Sequence, residues 1–200
     1  MTTVGPRTAD HEIDPIFLER WSPRAFSGEA IPEADLMRIF EAARWAPSSY
    51  NSQPWRFVYA RRDTPAWEPM LSLLVEGNRS WCKDTAVVMV LASSSTMLVP
   101  GQDKPVPSYT HSFDAGSAWA YLALQATKLG WSAHGMVGFD KERAFAELGF
   151  AEGYRVEAAI AIGRLGDKSK LPEALQARES PNGRKTLNET VFEGKFSDKR

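Results

Sequence analysis

The chain has one cysteine, Cys82, in 200 residues. That excludes an internal disulfide and any zinc or iron–sulfur site built from clustered cysteines, and it fits a reducing compartment. Charge of one sign is also missing. A formal net charge of −1 and a pI near 6.3 leave no basic field for nucleic acid or anionic lipid, so a phosphate would have to be held by a few local arginines and lysines. The longest uninterrupted apolar run, AVVMVLA at 86–92, is too short to cross a bilayer, and the opening MTTVGPRTADHEID has no apolar core of signal-peptide length. A cytoplasmic location, with neither nucleic acid nor membrane as partner, is expected. Histidine is scarce: His11, His111 and His134 lack metal-ligand spacing and read as ordinary surface or loop residues, and no metal site is expected.

Familiar catalytic signatures are absent as well. No G-x-G-x-x-G follows a strand and no G-x-x-x-x-G-K-[ST] occurs, so neither a Rossmann nor a P-loop nucleotide site has support. Without a G-x-S-x-G elbow, Ser48, Ser49 and the serines at 93–95 are poor nucleophiles. The Asn188-Glu189-Thr190 sequon reads as accidental in a cytosolic chain. Acid–base and nucleophilic chemistry are so thinly represented that no side chain stands out as catalytic, and an enzymatic role calls for a cofactor that carries the chemistry.

What is present is an ordinary globular composition, 43% hydrophobic and 24% charged, enough for a single domain over 1–200 with a sizeable core. Seven tryptophans and ten phenylalanines suit a core or the walls of a site for a flat aromatic ligand. Apolar residues at helical spacing predict a helix over 32–44, with Pro32 in its first turn, and others over about 67–75, 114–129 and 142–148. The helix over 114–129 has apolar or small residues on nearly every side, which marks it as central or as facing a second subunit. Strands are expected at 55–60, at 86–92 (apolar on both faces, hence buried) and at 156–162. Residues 93–112 read as a long Ser/Pro-rich loop without periodicity, a lid, a binding flap or simply mobile chain. The chain after Gly163 reads as a polar, irregular tail.

Three polar clusters remain. APSSYNSQPW at 46–55 places Ser, Asn and Gln on a proline-bracketed bend after the first long helix. RWSPRAF at 20–26 holds Arg20, Ser22 and Arg24 in a short proline-fixed segment, a donor set suited to phosphate. GRKTL at 183–187 brings Arg184 and Lys185, which could close on the same anion. Taken singly, each reads more simply as a solvated loop, turn or tail.

Taken together, these clusters resemble the FMN-dependent nitroreductase family. RWSPRAF is similar to that family's R-[RH]-S-x-[RK]-x-F segment and APSSYNSQPW to its P-S-S-x-N-x-Q-P-W loop. GNRSWCKDTAVVMVLAS resembles its asparagine-bearing segment before a buried strand, and LGWSAHGMVGFD its G-F-D turn, all in register from about residue 17 to residue 196. The resemblance implies an α+β, three-layer fold with a central, mostly antiparallel sheet flanked by helices, and an intertwined homodimer holding FMN at its interface. It implies that Arg20 and Arg184 or Lys185 clamp the FMN phosphate, with Trp21 and Ser22 adding main-chain or hydroxyl contacts. Arg24 would sit near the pyrimidine side of the flavin, its charge making the cofactor easier to reduce. Pro47, Ser48, Ser49 and Asn51 would line the ring site from the other subunit, while Gln53 and Trp55 fix and pack the loop. Asn78 would bond the pyrimidine edge, and the backbone N–H groups of Val137 and Gly138 would face N5.

The activity implied is ping-pong hydride transfer from NADH or NADPH, through FMN, to an electron-poor acceptor such as a nitroaromatic, a quinone, or an activated carbonyl or enone. Alternatives are a malonic semialdehyde reductase or another specialised member, and a flavin-binding store or redox sensor without turnover. Three positions depart from the pattern: Trp81 where some members carry lysine, Val137 where an acidic residue is common, and Gly135 where a proline stands. Tyr50 and Tyr109 are candidates either for gates over the ring or for packing.

Overall fold

The computed structural model describes residues 3–197. Its centre is a four-stranded sheet in the order β3-β4-β8-β7, every neighbour antiparallel, built from β3 (Trp55–Arg61), β4 (Val87–Ser94), β7 (Ser132–Met136) and β8 (Tyr154–Gly163). Period-two alternation splits β4 between two cores. Val88 and Val90 face a cluster with Trp67, Met70, Trp81 and Ala161, whereas Val87, Met89 and Leu91 face one with Leu36, Ile39, Leu122 and Ile160. Both faces of the strand are therefore covered, as its unbroken apolar run requires, and each buried Val, Leu or Met contributes about 1.5–3 kcal/mol.

Helices supply the two outer layers. On one side lie α2 (Glu33–Arg44) and α5 (His111–Lys128); on the other lie α3 (Trp67–Ser72), α4 (Glu76–Cys82) and α6 (Lys141–Glu147). This is the expected α+β, three-layer arrangement. Pro32 turns out to be the cap before α2 rather than part of its first turn, with ψ at 140°. The small hairpin β1 (Thr3–Val4) and β2 (Arg7–Thr8), the short helix α1 (Ile16–Glu19) and the late helix α7 (Glu173–Gln176) lie outside these layers.

Several boundaries differ from the periodic pattern. The helix expected over 67–75 ends at Ser72, because Leu74 forms a β-bridge with Phe139 and the Val75 N–H donates to the Gly138 carbonyl at 3.1 Å, which pulls the chain out of the helix. The 93–112 segment is not structureless: β4 continues to Ser94, and β5 (Thr96–Met97) pairs with β6 (Val106–Pro107). Strands of two residues are too short to register as alternation. α5 begins at His111, three residues before the expected start, with the Thr110 hydroxyl donating to Asp114 in its first turn.

α4 and β7 carry no legible periodicity. β7 reads SAHGM, a poor strand former, yet it pairs along β8 over all five residues. Tertiary pairing overrides the weak local preference.

Candidate functional site: an arginine crevice beside an apolar slot

Segment 20–26 has no regular structure of its own and is held entirely by other parts of the chain. Phe26 bridges Leu165, with Ser27 N–H donating to the Arg164 carbonyl at 3.0 Å and Gly166 N–H to the Ala25 carbonyl at 2.9 Å. The buried Glu179 carboxylate accepts from the main-chain N–H groups of Arg24 and Ala25 at 2.7 and 2.8 Å. His134 Nδ1–H donates to the Pro23 carbonyl at 2.7 Å. A proline-fixed turn anchored at this many points presents its side chains in one arrangement, which is what a binding site needs.

Those side chains open onto a cavity of about 480 Å³ lined by Arg20, Trp21, Ser22, Arg24, His134, Arg178, Ser180, Asn182 and Arg184. Four guanidiniums converge there. Among the described residues, none of the four forms an ion pair with a carboxylate. Arg20 donates to Ser22 Oγ at 3.3 Å. Burial first, and then the charges of Arg184 and Arg7, push the pKa of Arg20 below the ordinary arginine value without neutralising it. An uncompensated cationic crevice of this kind is a receptor for an anion.

Arg20 and Ser22 also line a second cavity, of about 600 Å³, whose other walls are Phe17, Trp119, Ala120, Ala123, Leu124, Gly135, Met136, Val137 and Ala158. The two cavities thus share a wall, one cationic and the other largely apolar. At the floor of the slot the chain is packed closely. A Cβ on Gly135 would stand 3.2 Å from the Trp119 ring, and one on Gly138 would stand 2.6 Å from Asn78 Nδ2. Asn78, on α4, donates to the Gly138 carbonyl at 2.9 Å. The N–H groups of Val137 and Gly138 are taken up by no acceptor among the described residues.

The sequence-predicted residues therefore fall into groups. Arg20, Trp21, Ser22, Arg24 and Arg184 come together at the crevice, and Val137, Gly138 and Asn78 meet at and beside the slot. Lys185 does not line the crevice: it lines a neighbouring cavity with Arg7, His11 and Phe17, to which Arg184 also belongs. Pro47, Ser48, Ser49 and Asn51 line neither the crevice nor the slot. Their bend is strained, with Tyr50, Asn51 and Gln53 all in the left-handed region at φ of 51, 54 and 47°. Asparagine tolerates that region; tyrosine and glutamine adopt it only when the surroundings enforce it. Here Ser48 Oγ accepts from Gln53 N–H at 3.0 Å, Gln53 Nε2 donates to the Asn51 carbonyl, and Trp55 is buried below.

Other residues were invisible to sequence reasoning. Arg178 and Glu179 sit in the tail read as irregular, where no periodicity marks them, and Asp114 is buried at 3% exposure although aspartate ordinarily faces water. His134 is neither a surface nor a loop residue: it lies buried in β7, against the Trp81 ring at 4.8 Å. His111 likewise opens α5, with its Nδ1 2.7 Å from Ser93 Oγ, and that hydroxyl donates to Glu157 at 2.6 Å. Trp81, one of the three departures, is 2% exposed and belongs to the core, whereas Val137 is 75% exposed at the slot. Among the described residues, no helix is long and apolar enough to cross a membrane.

Comparison with known proteins agrees with this geometry. The chain is 47% identical to a solved oxidoreductase containing FMN, with a TM-score of 0.94 over 98% of this chain and 99% of that one. It is 35% identical over 152 residues to an uncharacterised 15.4 kDa protein of Mycolicibacterium smegmatis, covering 72% of this chain and 98% of that protein. To the NADH dehydrogenase of Thermus thermophilus it is 31% identical over 173 residues, covering 73% and 83%. The nitroreductase family model matches residues 18–164. On these grounds the chain belongs to the nitroreductase family.

Proposed function

We propose that the protein is an FMN-dependent NAD(P)H oxidoreductase working by ping-pong kinetics. The observation that carries this reading is the pairing of an arginine crevice, whose four guanidiniums form no ion pair among the described residues, with an apolar slot across the shared residues Arg20 and Ser22. FMN has that same pairing of parts, a phosphate at one end and a flat tricyclic ring at the other. The residues present fit it: Arg20, Ser22 and Arg184 would take the phosphate, with Arg178 adding a fourth guanidinium beyond Arg24. The chemistry FMN supplies when bound is hydride transfer through N5, first from a reduced nicotinamide and then to an acceptor.

The chain's own part is binding, orientation and electrostatics. The N–H groups of Val137 and Gly138, with no acceptor among the described residues, are available to a ring nitrogen, and Asn78 is held beside them by the Gly138 carbonyl. Arg24 contributes fixed positive charge that favours electron-rich forms of whatever occupies the crevice. The exposed Val137 leaves one side of the slot open for a nicotinamide and then an acceptor to occupy in turn. Nitroaromatics, quinones and activated carbonyls or enones suit an apolar slot with cationic walls.

The reading includes a homodimer. The strained bend at 46–55 lines none of the three cavities described above, and the large side chains around it, Trp45, Tyr50, Tyr109 and Phe113, are at least 61% exposed. Apolar exposure on that scale calls for a covering surface. In the dimer, Pro47, Ser48, Ser49 and Asn51 of one copy would close the slot of the other.

Anaerobic stopped-flow mixing of the flavin-loaded protein with NADH and NADPH tests the activity. Rapid bleaching near the flavin absorbance maximum, reversed by a nitroaromatic or quinone, is the expected result. Absence of bleaching with both donors would leave a flavin-binding protein without turnover.

A further inference from the structure

We propose that Arg7 is a positioning residue of the arginine crevice: from the N-terminal hairpin it ties together the two chain segments that carry Arg20 and Arg184, and so sets the spacing of the anion clamp. The inference rests on the FMN reading above and adds to it a part of the chain that none of the motifs in the sequence pointed to.

Arg7 is an arginine at 8% exposure. Buried arginines ordinarily pair with a carboxylate; this one spends its donors on main-chain carbonyls. Nη1 donates to the carbonyls of Leu18 and Arg20, both at 2.8 Å, and Nε donates to the Asn182 carbonyl at 2.9 Å, with Nη2 3.4 Å from Asn182 Oδ1. One planar group thereby bonds a stretch ending at Arg20 and a stretch 162 positions later in the chain, at Asn182. Arg184 bonds the same Asn182, at its carbonyl and its side-chain oxygen. Asn182 is thus a joint between Arg7 and Arg184, and Arg7 is the link from that joint to Arg20.

Arg7 does not touch the crevice. It lines instead the neighbouring space of about 460 Å³, whose walls include His11, Phe17 and Lys185 and which shares Asn182 and Arg184 with the crevice. Its effect on an anion is therefore through the segments it holds. The arrangement is costly while the clamp has no anion, since Arg184 lies close enough to lower the pKa of Arg7, after burial, and both Arg184 and Arg7 lower that of Arg20. Three guanidiniums kept within mutual range, without an opposing carboxylate among the described residues, stand ready for a doubly charged phosphate. Lysine could not replace Arg7 in full. A single ammonium can serve the Leu18 and Arg20 carbonyls or Asn182, but it lacks the planar fork that reaches both.

The test compares FMN with riboflavin, which has the same ring and no phosphate, as fluorescence titrations of the apoprotein. Arg7→Met keeps the apolar stem and removes the donors. It is expected to weaken FMN binding on the order of tenfold or more while changing riboflavin binding little. Arg7→Lys should fall between Arg7→Met and the parent protein, and it provides the reading if the methionine variant fails to fold. An unchanged FMN-to-riboflavin preference in Arg7→Lys, or an equal loss of both ligands in Arg7→Met, overturns the proposal. The two levels stay distinguishable: a parent protein that binds neither flavin refutes the FMN reading itself, whereas a parent that prefers FMN and an Arg7 variant that keeps this preference refute only the role of Arg7.

Discussion

The main-chain N–H of Ser49 donates to Oδ2 of Asp114 at 3.2 Å, joining the strained bend to the first turn of α5 across 65 positions of sequence. The same carboxylate oxygen accepts from the Thr110 hydroxyl at 3.0 Å. Asp114 is nearly inaccessible to water, so it is the point at which the bend is fastened to the body of the fold. Asp114→Ala is expected to destabilise the protein by about 1.5–3 kcal/mol, the range for losing hydrogen bonds to a buried charged group. Urea unfolding checks this; an unchanged midpoint would show that the bend is held by other contacts.

Gly166 lies where the tail passes the arginine-bearing segment. A Cβ there would come within 2.4 Å of the Phe26 carbonyl carbon and 2.7 Å of the Ser27 nitrogen, both main-chain atoms that cannot swing aside. Gly166→Ala should cost about 1–3 kcal/mol or more, because the segment has to move to admit the methyl group. Thermal unfolding measures it, and FMN affinity should fall in the same variant because residues 20–26 are displaced.

Arg20 stands between the crevice and the slot. If it makes a charge-assisted bond to the FMN phosphate, Arg20→Ala should weaken FMN binding by about 1.5–3 kcal/mol. Equilibrium titration of the apoprotein decides, and an affinity equal to that of the parent would remove Arg20 from the clamp.

Burial holds the His134 imidazole below its ordinary pKa, and the charges of Arg24 and Arg20 act in the same direction against the Pro23 carbonyl and Glu179. Arg178 and Arg184 line the same crevice as the ring, and the Trp81 ring packs against it. In the unfolded chain the imidazole takes up a proton near pH 6.5. The folded protein resists that proton, so the unfolded state binds more protons in the window from that value down to the lowered folded pKa. This contribution to stability is complete above about pH 6.5 and is lost as the pH falls through the window. Urea midpoints of the apoprotein between about pH 7.5 and 5 should therefore fall more steeply for the parent than for His134→Gln. Parallel curves would show that the ring is not resisting protonation.

In the proposed homodimer, a site shared between two copies would make flavin retention depend on protein concentration. Dilution until the dimer dissociates should release FMN, followed by sedimentation and flavin fluorescence on the same samples. A flavin-loaded monomer would contradict it.

Much of this was legible in the residues. The unbroken apolar run of β4, the stripe of α2 and the nearly all-round apolar surface of α5 announced buried, layered elements, since burial on one face leaves a periodic mark and burial on both leaves an unbroken one. RWSPRAF offered donors suited to an anion, but alone it read as well as a solvated basic turn, and only its company with the other clusters in the family's order pointed to phosphate. Lys185 was less legible: beside Arg184 in sequence it made an equal candidate, yet of the two only Arg184 reaches the crevice, while both line the neighbouring cavity that holds Arg7. His134 looked like a loop histidine because neither SAHGM nor its flanks resemble a strand.

By itself the sequence determined the helices and strands that bury a face, the lack of any metal-ligand or disulfide pattern, and which short clusters hold donors for phosphate, because those properties belong to local spacing and to side-chain chemistry. Only the tertiary structure decided that Arg20, Arg24, Arg178 and Arg184 share one cavity, that Glu179 and Arg7 hold it in shape, and that Trp81 is core rather than site. Most of those relationships join residues far apart in the chain, up to 164 positions between Arg20 and Arg184, and convergence over such separations is set by sheet register and tail packing, which leave no periodic signature in the chain.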